Sequence, residues 1–435
     1  MKSGENKEEI NLFQIDLKSR KAVYNQIVDN FERLVDSGVL ARGVDVPNVK
    51  ELAKTLTVNP NIVQKAYFEL EHKGVFYTED GEQWIVAPDD GEQGEERLSR
   101  QDEVSALYGR IHSDIQELVA RGELREDIGK LIGMGGEKSY ISLENLTKSF
   151  DKNRALSDLT LNVKKGSIYG LVGINGSGKT TALKLIAGLL RPDSGLARIN
   201  GMPAYDNNHD KVVGYMPEDI YFLQDYNLKR LKDFVSNKYK SSWNEERYSK
   251  LIERFGLSEE QTLSTFSRGL QKQAGFILAI STMPDILLLD ETIDGLDPIV
   301  RKKAFRFIIE DVAAREMTVI VTSHNMRELD GICDTIGIIK DGHMVVERDL
   351  DDLRSNVHKL HVAFTPDFLN NNFPYDELDV LHMEELGSTD ILVVRGKEEE
   401  VEAHIRKFNP LVYDHLPMTL EEIFIYETEG DRDDD

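Results

Sequence analysis

The stretch from Gly173 to Thr181 reads GINGSGKTT, and it decides the fold of the largest part of the chain. It fits the pattern G-x-x-x-x-G-K-[ST] between an apolar run, Ile168–Val172, and a helical pattern, Thr181–Leu190. Glycines at such a strand-to-helix turn let backbone N–H groups point inward onto the phosphates of a nucleotide, at the positive end of the helix dipole. The sequence therefore predicts an α/β domain with a phosphate-binding loop (P-loop).

The residue types in this loop match the groups of a nucleoside triphosphate bound with Mg²⁺. Lys179 can neutralise phosphate charge, and the Thr180 hydroxyl is placed to bind the metal. The residues predicted to contact the nucleotide are Gly173, Asn175, Gly176, Ser177, Gly178, Lys179, Thr180 and Thr181.

A second apolar run, Ile286–Leu289, ends in two acids, Asp290 and Glu291. A buried strand end behind a P-loop places the first acid beside Mg²⁺, through water. The second acid can polarise the attacking water, a general-base role worth roughly 10²–10⁴ in rate. We therefore expect hydrolysis, with Glu291 and Lys179 as catalytic residues and Asp290 and Thr180 at the metal.

Five further segments, in order over residues 139–347, resemble those of ABC-type ATPases. They are the aromatic Phe150, GYMPE at 214–218, FSRGLQ at 266–271, GLDP at 295–298 and TSH at 322–324. In that family they are the adenine-stacking aromatic, the Q-loop, the signature loop, the D-loop and the switch histidine. The resemblance implies an ABC nucleotide-binding domain that uses ATP and Mg²⁺.

The resemblance also implies roles for single residues. They are adenine stacking for Phe150, Mg²⁺ binding for Glu218, the D-loop contact for Asp297, γ-phosphate contact across a dimer for Ser267 and Gly269, and γ-phosphate sensing, with a catalytic role, for His324. Because the chain has one P-loop and one signature loop, it must pair with itself or with a partner ATPase subunit. Glu218 replaces the usual Gln, Thr292-Ile293 the usual Pro-Thr, and Lys272-Gln273 the usual Gln-Arg; we expect altered coupling and retained hydrolysis.

The N-terminal part has the pattern of a winged helix-turn-helix. Three helices are predicted, near Ala22–Ser37, over Val49–Leu56, and from an Asn59 cap and Pro60 to Gly74. Two strands, Val75–Thr78 and Trp84–Ala87, flank a hairpin signal at Asp80-Gly81. This part is predicted to be an α+β domain.

Three segments of this part resemble the DNA-binding domain of GntR-type regulators: PNVKELA at 47–53, VNPNIV at 58–63 and AYFELEHKG at 66–74. The resemblance implies binding to promoter DNA, with candidate contacts Lys50, Asn59, Asn61, Gln64 and Lys65. Against it, Lys50 and Lys65 stand where the family usually has Arg, and Lys makes no bidentate fork. The wing segment Glu79–Trp84 also carries three acids, which repel phosphate. The alternative is a winged-helix scaffold used for protein contacts.

These patterns divide the chain into five regions. They are a winged helix at 10–90, a helical linker at 91–137, an ABC ATPase domain at 138–347, a small α/β domain at 348–429 and a disordered acidic tail at 430–435. The linker, with two helices within Val104–Leu131, is either a dimer arm or packs on the chain's own domains. The C-terminal domain is expected to contain strands at Leu360–Phe364 and Ile391–Val394 and a helix at Glu398–Phe408. Its ending, LEEIFIYE at 420–427, resembles that of ATPases serving ABC-2-type exporter permeases.

Composition restricts location and partners. The 435 residues carry a net charge of −25 and one cysteine, Cys333, which excludes an internal disulfide. No apolar run reaches the about 18–20 residues needed to span a bilayer, and Met1–Ile10 lack the apolar stretch of a signal peptide. We expect a cytoplasmic protein that reaches the inner face of the membrane through a separate permease.

Three functions fit these patterns. The first is a transporter ATPase whose fused GntR-type domain regulates transcription of its own operon. The second is an ATP-responsive transcription regulator without a permease. The third is a transporter ATPase whose winged helix no longer binds DNA.

Overall fold

A computed structural model describes the chain at residue 15 and over 21–78, 83–88, 139–151, 153–206, 212–220, 226–293, 296–326, 329, 331–365 and 377–429. The predicted linker at 91–137, the hairpin tip at 79–82, Gly295 of the D-loop and the acidic tail lie outside the described residues.

The N-terminal unit contains three helices and a small antiparallel sheet. The helices are α1 (Val23–Asp36), α2 (Val49–Leu56) and α3 (Pro60–His72), and the strands are β1 (Asp45–Val46), β2 (Phe76–Tyr77) and β3 (Trp84–Val86), in the order β1-β3-β2. Asn48 caps α2 and Asn59 caps α3, each through its side chain. The predicted helices and hairpin strands are present, and β1 is an additional strand.

The core of this unit is aromatic. Phe31, Tyr67, Phe76 and Trp84 are fully buried. Their rings meet edge to face, with centroids 4.9 Å apart between Phe31 and Phe76 and 5.4 Å apart between Tyr67 and Trp84. These contacts hold α1 and α3 against β2 and β3.

The central part is built on a six-stranded sheet in the order β13-β12-β6-β11-β10-β9. Its strands are β6 (Ile168–Val172), β9 (Val213–Met216), β10 (Ile286–Asp290), β11 (Thr318–Ser323), β12 (Thr335–Lys340) and β13 (His343–Asp349). All pairs are parallel except β12–β13. Every residue of β6, β10 and β11 is buried, as expected for parallel strands covered on both faces. The predicted α/β architecture is confirmed here.

A second sheet and five helices surround this core. The sheet is antiparallel in the order β5-β4-β7-β8, with β4 (Ile141–Phe150), β5 (Asn153–Val163), β7 (Ser194–Ile199) and β8 (Met202–Pro203). The helices are α4 (Lys179–Ile186), α5 (Leu228–Lys238), α6 (Glu245–Phe255), α7 (Arg268–Ser281) and α8 (Pro298–Arg315). Helix α4 was predicted over Thr181–Leu190. It begins earlier, directly after Gly178, and ends earlier because Gly188 adopts φ +69°.

The described residues of the C-terminal part form a four-stranded antiparallel sheet and three helices. Its elements are α9 (Leu350–Asn356), β14 (Val357–Ala363), β15 (Asp379–Leu386), β16 (Thr389–Arg395), α10 (Glu398–Arg406), β17 (Val412–Leu416) and α11 (Leu420–Glu429), with strand order β15-β16-β14-β17. The two predicted strands and the predicted helix are present. Ile423 and Phe424 of α11 are buried in the same apolar cluster as the central sheet, so this part packs directly on the central domain.

Within the described stretches, no helix combines the length and the apolar character that crossing a bilayer requires.

Candidate functional site

The P-loop between β6 and α4 has a backbone that requires glycine. Gly178 adopts φ +111°, and a Cβ there would lie 2.6 Å from the carbonyl oxygen of Ala155. A Cβ on Gly173 would lie 2.4 Å from the carbonyl oxygen of Ile339 and 2.5 Å from Ser177 Oγ. Ser177 Oγ is buried and has no hydrogen-bond partner among the described residues. A glycine-lined loop with a spare buried hydroxyl, at the start of a helix, fits a phosphate group.

Lys179 connects this loop to the predicted general base. Its side chain is 3% exposed, and Nζ lies 2.9 Å from Glu291 Oε1. The same ammonium donates to the carbonyl oxygens of Gly173 at 2.6 Å and Ile174 at 3.1 Å. The lysine is therefore held over the loop and neutralises the glutamate.

Oxygen ligands suited to Mg²⁺ converge on Asp290 at the end of β10. The Thr180 hydroxyl donates to Asp290 Oδ1 at 3.0 Å, and the Thr322 hydroxyl donates to the same oxygen at 3.0 Å. Tyr215 on β9 donates to Asp290 Oδ2 at 3.0 Å. A carboxylate beside a threonine hydroxyl is a donor set that Mg²⁺ accepts, with water and phosphate oxygens completing its octahedron. The residues present therefore fit the metal.

Tyr215 is a site residue that the sequence analysis missed. It lies in the segment GYMPE, where only Glu218 was assigned a role. Burial first, and then the nearby Asp290 carboxylate, raise the pKa of the Tyr215 hydroxyl far above its usual value. The phenol therefore stays protonated and continues to donate to Asp290.

Glu291 is held from four directions. Its backbone adopts φ +47°, a strained conformation for a side chain with a Cβ. Its N–H donates to Thr322 Oγ1 at 2.9 Å, and its carbonyl oxygen accepts from Lys272 Nζ at 3.0 Å. Its carboxylate contacts Lys179 through one oxygen and lies 3.5 Å from His324 Nδ1 through the other. The three predicted catalytic residues are therefore brought together.

The remaining predicted nucleotide contacts lie at the surface of the central domain. Phe150 ends β4 with its side chain 45% exposed, and Lys148 Nζ is 5.7 Å from its ring centroid. Ser267 caps α7 by accepting from the N–H of Leu270 at 3.3 Å, and Asp297 caps α8 in the same way from Ile299 at 2.9 Å. The other contacts at or near the surface are Asn175, Thr181, Glu218 and Gly269. Their roles toward the nucleotide stay predictions.

Two of the predicted DNA contacts, Asn59 and Asn61 at the start of α3, face the central domain. Asn59 is fully buried, and its amide donates to the carbonyl oxygen of Ile332 at 3.1 Å and to Asp334 Oδ2 at 2.9 Å. Asn61 donates to Gly166 O and to Asp334 Oδ1, each at 3.3 Å. In this arrangement the Asp334 carboxylate occupies the Asn59 side chain, and a contact of Asn59 with DNA stays a prediction.

The other DNA candidates are more accessible. Lys50 and Gln64 are exposed. Lys65 Nζ lies 3.2 Å from Asp352 Oδ1. Their DNA contacts stay predictions.

Comparison with known proteins identifies relatives of this chain. The ABC transporter family model matches residues 156–294. The ABC transporter ATP-binding protein YtrB of Bacillus subtilis (strain 168) is 32% identical over 295 residues, which cover 67% of this chain and 99% of that protein. The bacitracin transport ATP-binding protein BcrA of Enterococcus faecalis is 33% identical over 224 residues, 50% of this chain and 72% of that protein.

A solved ATP-binding subunit of an ABC transporter matches 50% of this chain and 92% of its own, at 25% identity and a TM-score of 0.45. Together with the site geometry, the sequence matches define an ABC-type ATPase that binds ATP with Mg²⁺. The chain belongs to the family of ABC transporter ATP-binding proteins.

Proposed function

We propose that this chain is the ATP-hydrolysing subunit of an exporter with a separate permease, and that its N-terminal unit is a GntR-type winged helix that regulates transcription of the transporter operon. The observation that carries the ATPase part is the convergence of Lys179, Asp290, Glu291 and His324 on one end of the central sheet. The three helices and small sheet of the N-terminal unit support the second part.

This chain supplies the residues on one side of the nucleotide, which are the P-loop lysine, the general base and the metal contacts. Lys179 exchanges the Glu291 carboxylate for phosphate oxygens, which releases the carboxylate to accept a proton from water. Asp290 and Thr180 would hold Mg²⁺, and Tyr215 fixes the second Asp290 oxygen. Bound MgATP supplies the phosphoryl group that water attacks and the charge neutralisation at its oxygens.

A second copy of the site is needed, because Ser267 and Gly269 are predicted to act on the nucleotide of a partner. Large apolar side chains are exposed near the predicted contact. Ile174 in the P-loop and Ile299 at the start of α8 are each 69% exposed. Singly exposed apolar side chains are ordinary on protein surfaces, so the pairing rests on the predicted roles of Ser267 and Gly269. We infer pairing with itself or with a partner ATPase subunit.

The permease is inferred from the relatives. The two cited relatives are named as transporter ATP-binding proteins, one of them for bacitracin. Export, and a place at the inner face of the membrane, are proposals that this likeness supports. Copurification of the tagged chain with a membrane protein from the same operon tests the proposal, and a chain that copurifies with none supports an ATP-responsive regulator without transport.

Glu291→Gln tests the ATPase part. We expect ATP hydrolysis to fall by roughly 10²–10⁴ while ATP binding persists, because the amide keeps the shape and loses the base. Phosphate release and binding of a fluorescent ATP analogue measure the two properties. Glu385→Gln, an exposed change on β15, is the control. A loss of less than tenfold would remove Glu291 from the general-base role.

A second candidate for the N-terminal unit is a scaffold that contacts protein alone. The buried Asn59 and its bonds to Asp334 favour it. Binding of the full-length protein to a fragment of its own promoter separates the two candidates.

A further inference from the structure

The contact between the N-terminal unit and the central domain is polar and divided by charge. We call the residues of α2 and α3 that form it the reading face: Lys54, Asn59, Asn61 and Lys65. We call their partners the acidic face: Glu310 on α8, Asp334 before β12, Asp349 on β13 and Asp352 on α9. Donors lie on one side and carboxylates on the other.

The centre of the contact places a carboxylate at the N-terminus of α3. Asp334 accepts from the amides of Asn59 and Asn61, at 2.9 Å and 3.3 Å. Asn59 also caps α3 by accepting from the N–H of Asn61 at 2.9 Å. Oxygen acceptors at a helix N-terminus, held by side-chain amides, are also the arrangement by which helix-turn-helix domains hold a DNA phosphate.

The rim pairs lysines with further carboxylates. Lys54 Nζ lies 3.4 Å from Glu310 Oε1. Lys65 Nζ lies 3.2 Å from Asp352 Oδ1 and 4.0 Å from Asp349 Oδ1. These lysines would otherwise be available to phosphates, and duplex DNA presents one negative charge per about 1.7 Å of its axis.

We propose that the acidic face imitates DNA phosphates and competes with duplex DNA for the reading face. This proposal rests on the regulatory part of the proposed function. The chain with its N-terminal unit on the acidic face cannot offer Asn59 to DNA, because that side chain is buried there. DNA binding through the reading face requires release of the N-terminal unit. Its apparent affinity is therefore the intrinsic affinity multiplied by the fraction of chains in which that unit is released.

Removing charge from the acidic face tests the competition without altering the reading face. The double variant Asp349→Asn/Asp352→Asn neutralises two carboxylates that lie within 4.0 Å of Lys65 Nζ. Exposed ion pairs are individually weak, so we expect affinity for a duplex fragment of the chain's own promoter to rise about three- to tenfold. Fluorescence anisotropy at constant salt measures it, and unchanged ATPase activity reports folding. Glu384→Gln/Glu385→Gln on the exposed strand β15 removes equal charge and should leave affinity unchanged.

A reversible tether tests the same point in the opposite direction. Lys54→Cys/Glu310→Cys places two thiols across the contact, and the native Cys333 is buried. Joining them with a cleavable bifunctional thiol reagent should abolish promoter binding, and cleavage should restore it. Lys54→Cys alone, treated in the same way, is the control.

The possible outcomes distinguish a failure of the proposed competition from a failure of the proposed regulatory function. Tighter binding by the charge-reduced variant and loss on tethering support the competition. Equal binding by wild type, variant and tethered chain overturns the competition and leaves DNA binding intact. Absence of binding in every form, with faster amide hydrogen exchange of α3 showing that the contact has weakened, overturns the regulatory function and the competition with it.

Discussion

Asp290 accepts hydrogen bonds from three hydroxyl groups, and two of them, those of Tyr215 on β9 and Thr322 on β11, lie on neighbouring strands. Tyr215→Phe removes that donor and leaves the ring. A hydrogen bond to a charged group contributes about 1.5–3 kcal/mol, so the Mg²⁺ concentration for half-maximal ATPase activity should rise roughly tenfold. Tyr169→Phe is the matched control, because its hydroxyl donates to Glu347 at 2.7 Å. A dependence on Mg²⁺ that matches the control would exclude a positioning role for Tyr215.

The Asp334 carboxyl makes the contact with the N-terminal unit sensitive to pH. Burial raises its pKa to about 7, although bonds from the Ile168 N–H, Asn61 and Asn59 oppose the rise, and the Asp349 carboxylate adds to it. Lys65 lies 4.0 Å from Asp349 and is the nearby cation on α3. A raised carboxyl pKa means that the packed form takes up a proton, so its stability falls as pH rises toward 7 and the penalty is complete above 7.

We therefore expect α3 to exchange its amide hydrogens more slowly at pH 6 than at pH 8, after correction for the intrinsic rates. Asp334→Asn should remove the difference, because the amide imitates the protonated acid. An equal pH dependence in wild type and Asp334→Asn would show that another group is responsible.

At the scale of elements, the P-loop depends on a backbone that other residues cannot adopt. Gly178→Ala forces a Cβ to within 2.6 Å of Ala155 O at φ +111°. We expect binding of a fluorescent ATP analogue to be lost, since the loop must shift before α4 begins. Gly256→Ala at the end of α6 is the control: it has φ +70° but open space, so it should lower stability and spare binding. Nucleotide binding by Gly178→Ala at wild-type affinity would show that the P-loop does not require glycine at this position.

The sequence predicted elements whose ends are set by nearby residues. Helix α2 was predicted with the observed bounds, because Asn48 caps it and Thr57 ends it in a left-handed conformation. Strand β1 was missed because its two residues gain their structure from β3, far along the chain, where Asp45 pairs with Ile85.

At the nucleotide site, too, contacts between residues far apart in the sequence could not be predicted. The cluster of Lys179, Asp290 and Glu291 follows from strand ends that parallel pairing brings to one edge. Tyr215 reaches Asp290 because β9 lies beside β10, a pairing that no local pattern encodes. The contact of Asn59 with Asp334 joins residues 275 positions apart and could not be predicted from either segment.

At the scale of the whole molecule, strand β6 connects the acidic face at one end with the P-loop at the other. The N–H of Ile168 donates to Asp334 at 2.7 Å below the N-terminal unit, and Val172 leads into the P-loop at the other end. At about 3.3 Å per residue, five residues separate these surfaces by only about 15 Å. A change at the nucleotide therefore has a short, rigid route to the acidic face.

Pairing of two chains adds a geometric requirement, because one chain carries one reading face. Two faces read a two-fold site when they lie about 34–36 Å apart, so closure of an ATP-bound dimer should alter affinity for such a site. With Glu291→Gln holding MgATP, we expect affinity for the full promoter fragment to change at least about tenfold relative to the nucleotide-free protein at the same salt concentration. Affinity for a single half-site should change less, and Gly178→Ala should show no response. Equal affinities with and without ATP would mean that the two functions share a chain without being coupled.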